Sequence, residues 1–371
     1  MKKLGLFLTI LMLSATISAQ EKSSLTSRMA EKNILNHLDV GVNVGSMGIG
    51  FDLTMPIGDY VRVRTGYSFM PSFKIRSKFS VSTSNPSASK SVIQKFNDKK
   101  GRIDSWLAEL ENHKDHPKYE YFKGLLEDAR DITLHDYISM EMKPNLHQFK
   151  LLVDVMPFKN NKHWTFTAGF LIGSPYVGSA CNAEWESLPL RGLNAYNDIY
   201  KEICKQEFNL KPEWDNEIKK AGVAGFPLGE FANGDKAIMV PSADNTARGI
   251  MKISNFRPYL GCGYNTSLSK NEKWKLNVDA GVMFFCGKPK VYVNNVYRIS
   301  KDFVFDDDNW QYDIVRPNED MTDFVVDEPL QDVDLVNDLH NIPGKVGNLV
   351  NTISKFKVYP NISIGVSYRL F

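Results

Sequence analysis

The sequence predicts an all-β transmembrane protein: an up-and-down antiparallel eight-stranded β-barrel interrupted by three long, partly helical extracellular loops. Three observations predict it. Segments of about ten residues alternate apolar and polar side chains, as a tilted strand needs when one face meets lipid and the other a lumen. Short and long connections between these segments also alternate. Finally, the chain starts as exported proteins do, yet no later apolar run reaches the roughly 18 residues of a membrane helix.

Met1 to Ala19 has a basic start (Lys2, Lys3), an apolar run from Leu4 to Met12 and a small residue before Gln20, the pattern of a secretory signal peptide. The first cysteine is Cys181, so an amino-terminal lipid anchor is excluded. Residues 20–36 are a polar periplasmic lead-in with Ser24 or Ser27 capping a short helix. The barrel occupies 37–371, with extracellular insertions at 71–147, 174–252 and 287–356. The net charge of +2 gives no case for nucleic acid or an acidic partner.

In the first strand Leu38, Val40, Val42 and Val44 share one face, and the turn at Ser46-Met47-Gly48 leads to Ile49, Phe51, Leu53 and Met55. Pro56 to Asp59 punctuates the next turn, before Val61, Val63, Thr65, Tyr67 and Phe69. After the first insertion come Phe149, Leu151, Val153 and Val155, then a turn at Lys159 to Lys162, then Trp164, Phe166, Ala168, Phe170 and Ile172. The second insertion is followed by Phe256, Pro258, Leu260, Cys262 and Tyr264, a turn at Ser269 to Lys273, and Trp274, Leu276, Val278, Ala280, Val282 and Phe284. The last strand, KVYPNISIGVSYRLF, alternates from Val358 to Leu370 and has to meet Val40 and Val42 to remove the sheet's edges. Splitting the chain at Ser46 makes eight strands. Reading Asp39 to Ile57 as one strand makes seven, with Val291–Ile299 as the eighth.

With the split, the turns near Gly58, Asn161 and Asn271 are short and lie on one side, and the three insertions lie on the other. Short periplasmic turns and long outer loops are the outer-membrane rule, which puts both termini in the periplasm. The leading GVNVG-x-MGIGFDL and closing GVSYR-aromatic segments resemble small eight-stranded outer-membrane barrels of the OmpA and OmpX kind and the "outer membrane beta-barrel" proteins. The resemblance covers about 100 residues of strand and leaves out the insertions. It implies a monomer in the bacterial outer membrane. Phe371 departs from it by falling in register with Arg369 and Ser367, so that Tyr368 and Leu370 take the lipid-facing place.

The inward positions hold Asp39, Asp52, Asp154 and Asp279 with Arg62, Arg64, Lys150, Arg257, Lys275 and Arg369. The interior of eight strands is just wide enough to be filled by side chains, so these charges are expected to pair into a plug. Trp164 and Trp274 at one rim, with Tyr67, Phe69, Tyr176, Phe284 and Phe285 at the other, form an interfacial girdle. Cys181 and Cys204 lie in one insertion and are the disulfide candidates, whereas Cys262 and Cys286 are six residues out of register.

The insertions hold helical spacing at Ile103, Trp106, Leu107 and Leu110, a second helix at Tyr119–Ala129, and a third at Val333 to Leu349 broken by Pro343-Gly344. Trp185, Tyr196, Tyr200 and Trp214 read as the core of a folded cap more readily than as sugar-stacking platforms. Asp302 to Asp338 contains thirteen acids and one base, Arg316. Asp306-Asp307-Asp308 lacks the Asp-x-Asp-x-Asp-Gly calcium pattern and reads as a solvated surface.

No Cys/His spacing suggests zinc, no cofactor is called for, and no Gly-x-Ser-x-Gly is present. His147 beside Asp136 or Ser174 is the sole catalytic pairing at the outer rim. The expectation is therefore a non-enzymatic barrel in contact with outer-membrane lipid, anchoring a cap with an adhesive or envelope-structural role toward an extracellular or envelope protein or glycan. The alternatives are an outer-membrane enzyme on lipid or peptide, and a narrow solute or ion channel.

Overall fold

Eight strands close on themselves in chain order: β1 (Asp39–Gly45), β2 (Gly48–Pro56), β3 (Val61–Phe69), β4 (His147–Val155), β5 (Trp164–Gly173), β6 (Phe256–Ser267), β7 (Trp274–Phe284) and β8 (Val358–Arg369). The structure is a computed structural model describing residues 34–370 apart from 86–96, 99, 100, 102, 129, 131–134, 210 and 307. The signal-peptide segment, the lead-in up to residue 33 and Phe371 lie outside the described residues. Closure pairs Val40 with Tyr368 and Val42 with Val366, antiparallel like every other neighbour. Among the described residues no helix is long and apolar enough to cross a membrane.

The split at Ser46 is present, because Gly45 pairs with Gly48 across a two-residue loop. Gly48 has φ of 91°, and a Cβ there would sit 2.1 Å from the Phe69 carbonyl oxygen, so this hairpin needs glycine. Along the strands the outward set is apolar and exposed: Val42, Phe51, Phe166, Leu260 and Ile364 are each 47–57% accessible. A soluble protein would bury such residues, so the belt is the lipid-facing surface of a transmembrane β-barrel of the outer-membrane type.

Val291–Ile299 is no barrel strand. Its residues belong to a cap in which the insertions form two larger sheets, a two-stranded ribbon (Val315–Pro317 with Phe324–Val326) and the α-helices α1 (Ile103–Leu110), α2 (Tyr119–Asp128), α3 (Ser187–Cys204), α4 (Pro212–Ala221) and α5 (Gly344–Lys355). One sheet runs, in spatial order, Val333–Asp334, Lys290–Val293, Arg248–Lys252, Tyr176–Asn182, Tyr137–Pro144, Ile75–Ser80. The other runs Val296–Ile299, Lys236–Met239, Ala224–Phe231, Leu339–His340, with Ser82–Thr83 also on Ala224–Phe231.

Alternation places the second sheet between two cores. Phe226, Leu228, Ala237 and Met239 meet Met140, Val293 and Val350 of the first sheet and α5. Ile238, Tyr297 and Ile299 on its opposite face meet Phe122, Tyr200, Ile203 and Phe208 from the helices. The cap is thus three layers, sheet on sheet on helices, with only the middle sheet burying both faces. The helix expected over Val333 to Leu349 is replaced by short strands at Val333–Asp334 and Leu339–His340, with α5 starting at Gly344. The reason is local: Pro343 cannot extend a helix through its own nitrogen but is favourable just before the first turn.

Candidate functional site

The lumen is filled by three ion clusters placed by inward alternation. Asp39 meets the Lys275 Nζ at 2.6 Å and the Arg369 Nε at 3.5 Å. Asp52 meets the Lys150 Nζ at 2.6 Å and accepts from the Asn43 amide at 2.5 Å. Arg64 bridges Asp279 at 2.8 Å and Asp154 at 3.0 Å, and Asp154 also takes Arg62 at 3.5 Å and the Thr167 hydroxyl at 2.7 Å. Inward Gly66 makes room, since a Cβ there would lie 2.3 Å from the Asp52 Oδ1. Nine of the ten expected lumen charges are in these pairs.

Arg257 is the exception and corrects the expectation. Its guanidinium donates to the carbonyls of Ser254 (2.8 Å) and Ser174 (2.5 Å) and to the Gln148 side chain (3.0 Å), and no carboxylate joins it among the described residues. It sits one residue from the start of β6, where the strand ends leave backbone carbonyls free to serve a planar five-donor fork. There it ties the rim connections of β5 and β6 together. Beneath the cap, Leu152, Leu171, Tyr259 and Met283 pack with Met47 and Leu146 across the mouth. A cavity of about 20 Å³ beside Asp52, Arg64 and Tyr259 has room for about one water.

Of the residues expected in the girdle, Trp164 pairs with Tyr264, Trp274 with Tyr368, and Tyr67 with Phe149. Phe69 and Phe284 are partly exposed at the other rim. Phe285 does not belong to this set; one residue past Phe284 it turns inward and packs on the mouth cluster. The His147 Nδ1 lies 3.1 Å from the Tyr67 hydroxyl, and its ring stacks on Phe69.

The four cysteines are free, and Cys181 and Cys204 are not bonded to each other. Cys181 lies in a strand paired with Glu141 and Arg248, while Cys204 ends α3, whose 18 residues extend about 27 Å. Burial at that helix end pushes the Cys204 thiol well above its ordinary range. Among the described residues no group of three or more His, Cys, Asp or Glu is placed to hold a metal.

The sequence reading missed the polar centre of the cap, Asp313. It is held by Tyr200 and Ser84 hydroxyls and by the backbone N–H groups of Val223 (2.9 Å) and Ile314 (3.0 Å). One carboxylate from the third insertion thereby pins the first and second. Burial raises its pKa from 3.8 to about 6, against the hydrogen bonds that lower it. The available signal was its setting: Tyr312-Asp313-Ile314-Val315 is the apolar interruption of the acidic run. Among the aromatics, Tyr200 is fully buried as a core residue should be, whereas Trp185 is 56% exposed.

No family model and no curated protein matches the chain. Crystal structures of Acinetobacter baumannii CarO2 and CarO align with TM-scores of 0.34 and 0.32 at 12% identity, covering 90% and 91% of this chain and 98% and 99% of theirs. The barrel assignment stands on the closed sheet and its apolar belt, independently of these alignments.

Proposed function

We propose that the barrel is a monomeric outer-membrane anchor, akin to the small OmpA and OmpX barrels, for a cap that faces the cell exterior. Both termini lie in the periplasm, and the cap's role is binding an extracellular or envelope partner or organising the envelope. One observation carries this reading. The three insertions interlock through Asp313 and two shared cores into one packed body, while the lumen below is filled by ion pairs and the mouth cluster. A body ordered to this degree on a plugged barrel is built to present a surface.

The test is an epitope inserted at Ala232–Asn233, an exposed turn of the cap in which the Gly234 amide donates to the Phe231 carbonyl at 2.9 Å. Antibody is expected to stain intact cells. Staining only after permeabilisation of the outer membrane would overturn the reading.

A further inference from the structure

The first cap sheet is the barrel wall continued beyond the membrane. Its strands stand in the order Lys290–Val293, Arg248–Lys252, Tyr176–Asn182, Tyr137–Pro144, Ile75–Ser80, which is the order of β7, β6, β5, β4 and β3, the barrel strands that adjoin them in sequence. The lipid-facing alternation of the barrel runs on into the sheet. Phe170 and Ile172 lead to Tyr176, Leu260 and Phe256 lead back to Lys252, and Val282 and Phe284 lead to Lys288, Lys290 and Tyr292.

Register fixes what shares this outer face. Arg76, Glu141, Cys181 and Arg248 lie in one cross-strand row. Lys143, Ser179, Ile250 and Tyr292 lie in the next, and Lys252 pairs with Tyr176 and Lys290. The opposite face is core, through Ile138, Met140 and Val293. The outer face therefore carries Arg76, Lys78, Lys143, Arg248, Lys252 and Lys290, against Glu141 within the sheet and Asp334 at its edge. Glu141 is taken by Lys74 at 2.6 Å and Arg76 at 3.2 Å. Asp334 accepts from the Val291 and Val336 amides and the Asn337 side chain.

Where this face meets the barrel rim there is a groove of about 830 Å³, whose lining includes Lys252, Lys288, Lys290 and Tyr292 together with Asp332, Asp334 and Asp338. The Lys252 ammonium stands 4.3 Å from the Tyr292 ring and 5.0 Å from that of Tyr176. The Lys290 ammonium hydrogen-bonds the Tyr292 hydroxyl and feels Asp334 and Asp338, which leaves Lys252 and Lys288 as the cations of the groove farther from carboxylates. Cations with aromatic supports, placed a few residues past the apolar belt, lie at the depth of a leaflet's headgroups.

We propose that this rim groove binds the phosphate of lipid headgroups in the leaflet surrounding the barrel on the cap's side, with Lys252, Lys288 and Lys290 as its ligands. Continuity with the lipid-facing belt selects a membrane phosphate over a soluble polyanion. The inference rests on the anchored-cap reading for which leaflet supplies the phosphate, here the phosphorylated glycolipid of an outer leaflet.

The test uses the full mature chain in zwitterionic detergent, titrated by native mass spectrometry with diphosphoryl lipid A and with the same lipid stripped of phosphate. The wild type is expected to bind the phosphorylated lipid on the order of a hundredfold more tightly, and the triple variant K252Q/K288Q/K290Q to lose that preference. Glutamine removes the charge and keeps a polar, flexible side chain, and heat-modifiable migration in gels verifies that the variant barrel has folded. Equal binding of both lipids by the wild type would overturn the proposal, as would a folded variant that binds like the wild type. Tight binding of heparin without lipid selectivity would also overturn it and assign the face to a soluble polyanion. These outcomes are independent of cell staining, so a failed groove and a failed orientation are distinguishable.

Discussion

The barrel and the cap obey opposite rules within one chain. In the barrel the outward residues are apolar and the inside is ionic; in the cap the inside is apolar and the outside charged. Ile364 of β8 and Ile250 of the cap sheet are both exposed isoleucines, 55% and 37% accessible, in strands of one continuous wall. Only the solvent beside them differs. Burial and polarity are thus tied to each other by the medium outside and not by the fold class.

It also separates two ways of holding a buried acid. Asp154 is paired with cations, whereas Asp313 is held by neutral donors alone, since hydroxyls and amides are what a cap core offers. Three changes break or sharpen the contrast. Asp154→Ala leaves Arg62 and Arg64 without their shared partner and is expected to destabilise the barrel by about 3–5 kcal/mol, read as a lower urea midpoint in detergent or lipid. An unchanged midpoint would show the lumen charges to be hydrated instead of mutually compensated.

Next in size, Ile364→Lys puts a cation on the lipid face near mid-strand and is expected to cost about 2–4 kcal/mol of folding into bilayers. The parallel Ile250→Lys in the cap should stay within about 0.5 kcal/mol. Equal costs at the two sites would place both in the same solvent and undo the contrast.

The smallest effect is the titration of Asp313. Its folded pKa of about 6 lies above the ordinary 3.8, so the folded cap prefers the protonated acid. The associated stability is fully present below the unfolded value and is lost as pH rises through about 6. Between about pH 7 and about pH 5 the wild-type cap should gain about 1 kcal/mol relative to Asp313→Asn, which does not titrate. Hydrogen exchange of α3 in the two proteins measures this, and parallel pH profiles would refute it.

The barrel was legible residue by residue because a membrane strand writes its two environments directly into alternate positions. Trp164 and Phe166 against Thr165 and Thr167 leave no other register. Parity also carried the lumen list, and it erred where strands end: Phe285 turns inward and Arg257 finds carbonyls instead of carboxylates. The cap was less legible for a physical reason. Its strands are short, several only two to four residues, and they pair across long sequence separations, as Ala224 does with Thr83 and Phe231 with Leu339. Such segments carry too few alternations to announce themselves, although α1 and α2 were visible from their 3.6-residue periodicity.

The hairpin at Ser46 was settled by the pairing of Gly45 with Gly48, whereas the alternation of the chain already holds the inward and outward faces within each strand, the short turns near Gly58, Asn161 and Asn271, and the charges available to fill the lumen. These follow from local periodicity under a one-sided solvent, which any window of ten residues records. Only the tertiary structure decided that Asp154 is shared by Arg62 and Arg64, that Asp313 joins three insertions, that Cys181 and Cys204 stay apart, and that the barrel wall continues as a basic sheet above the membrane. Each of those depends on which distant segments become neighbours, and that is set by the packing of whole faces, which no single stretch of chain contains.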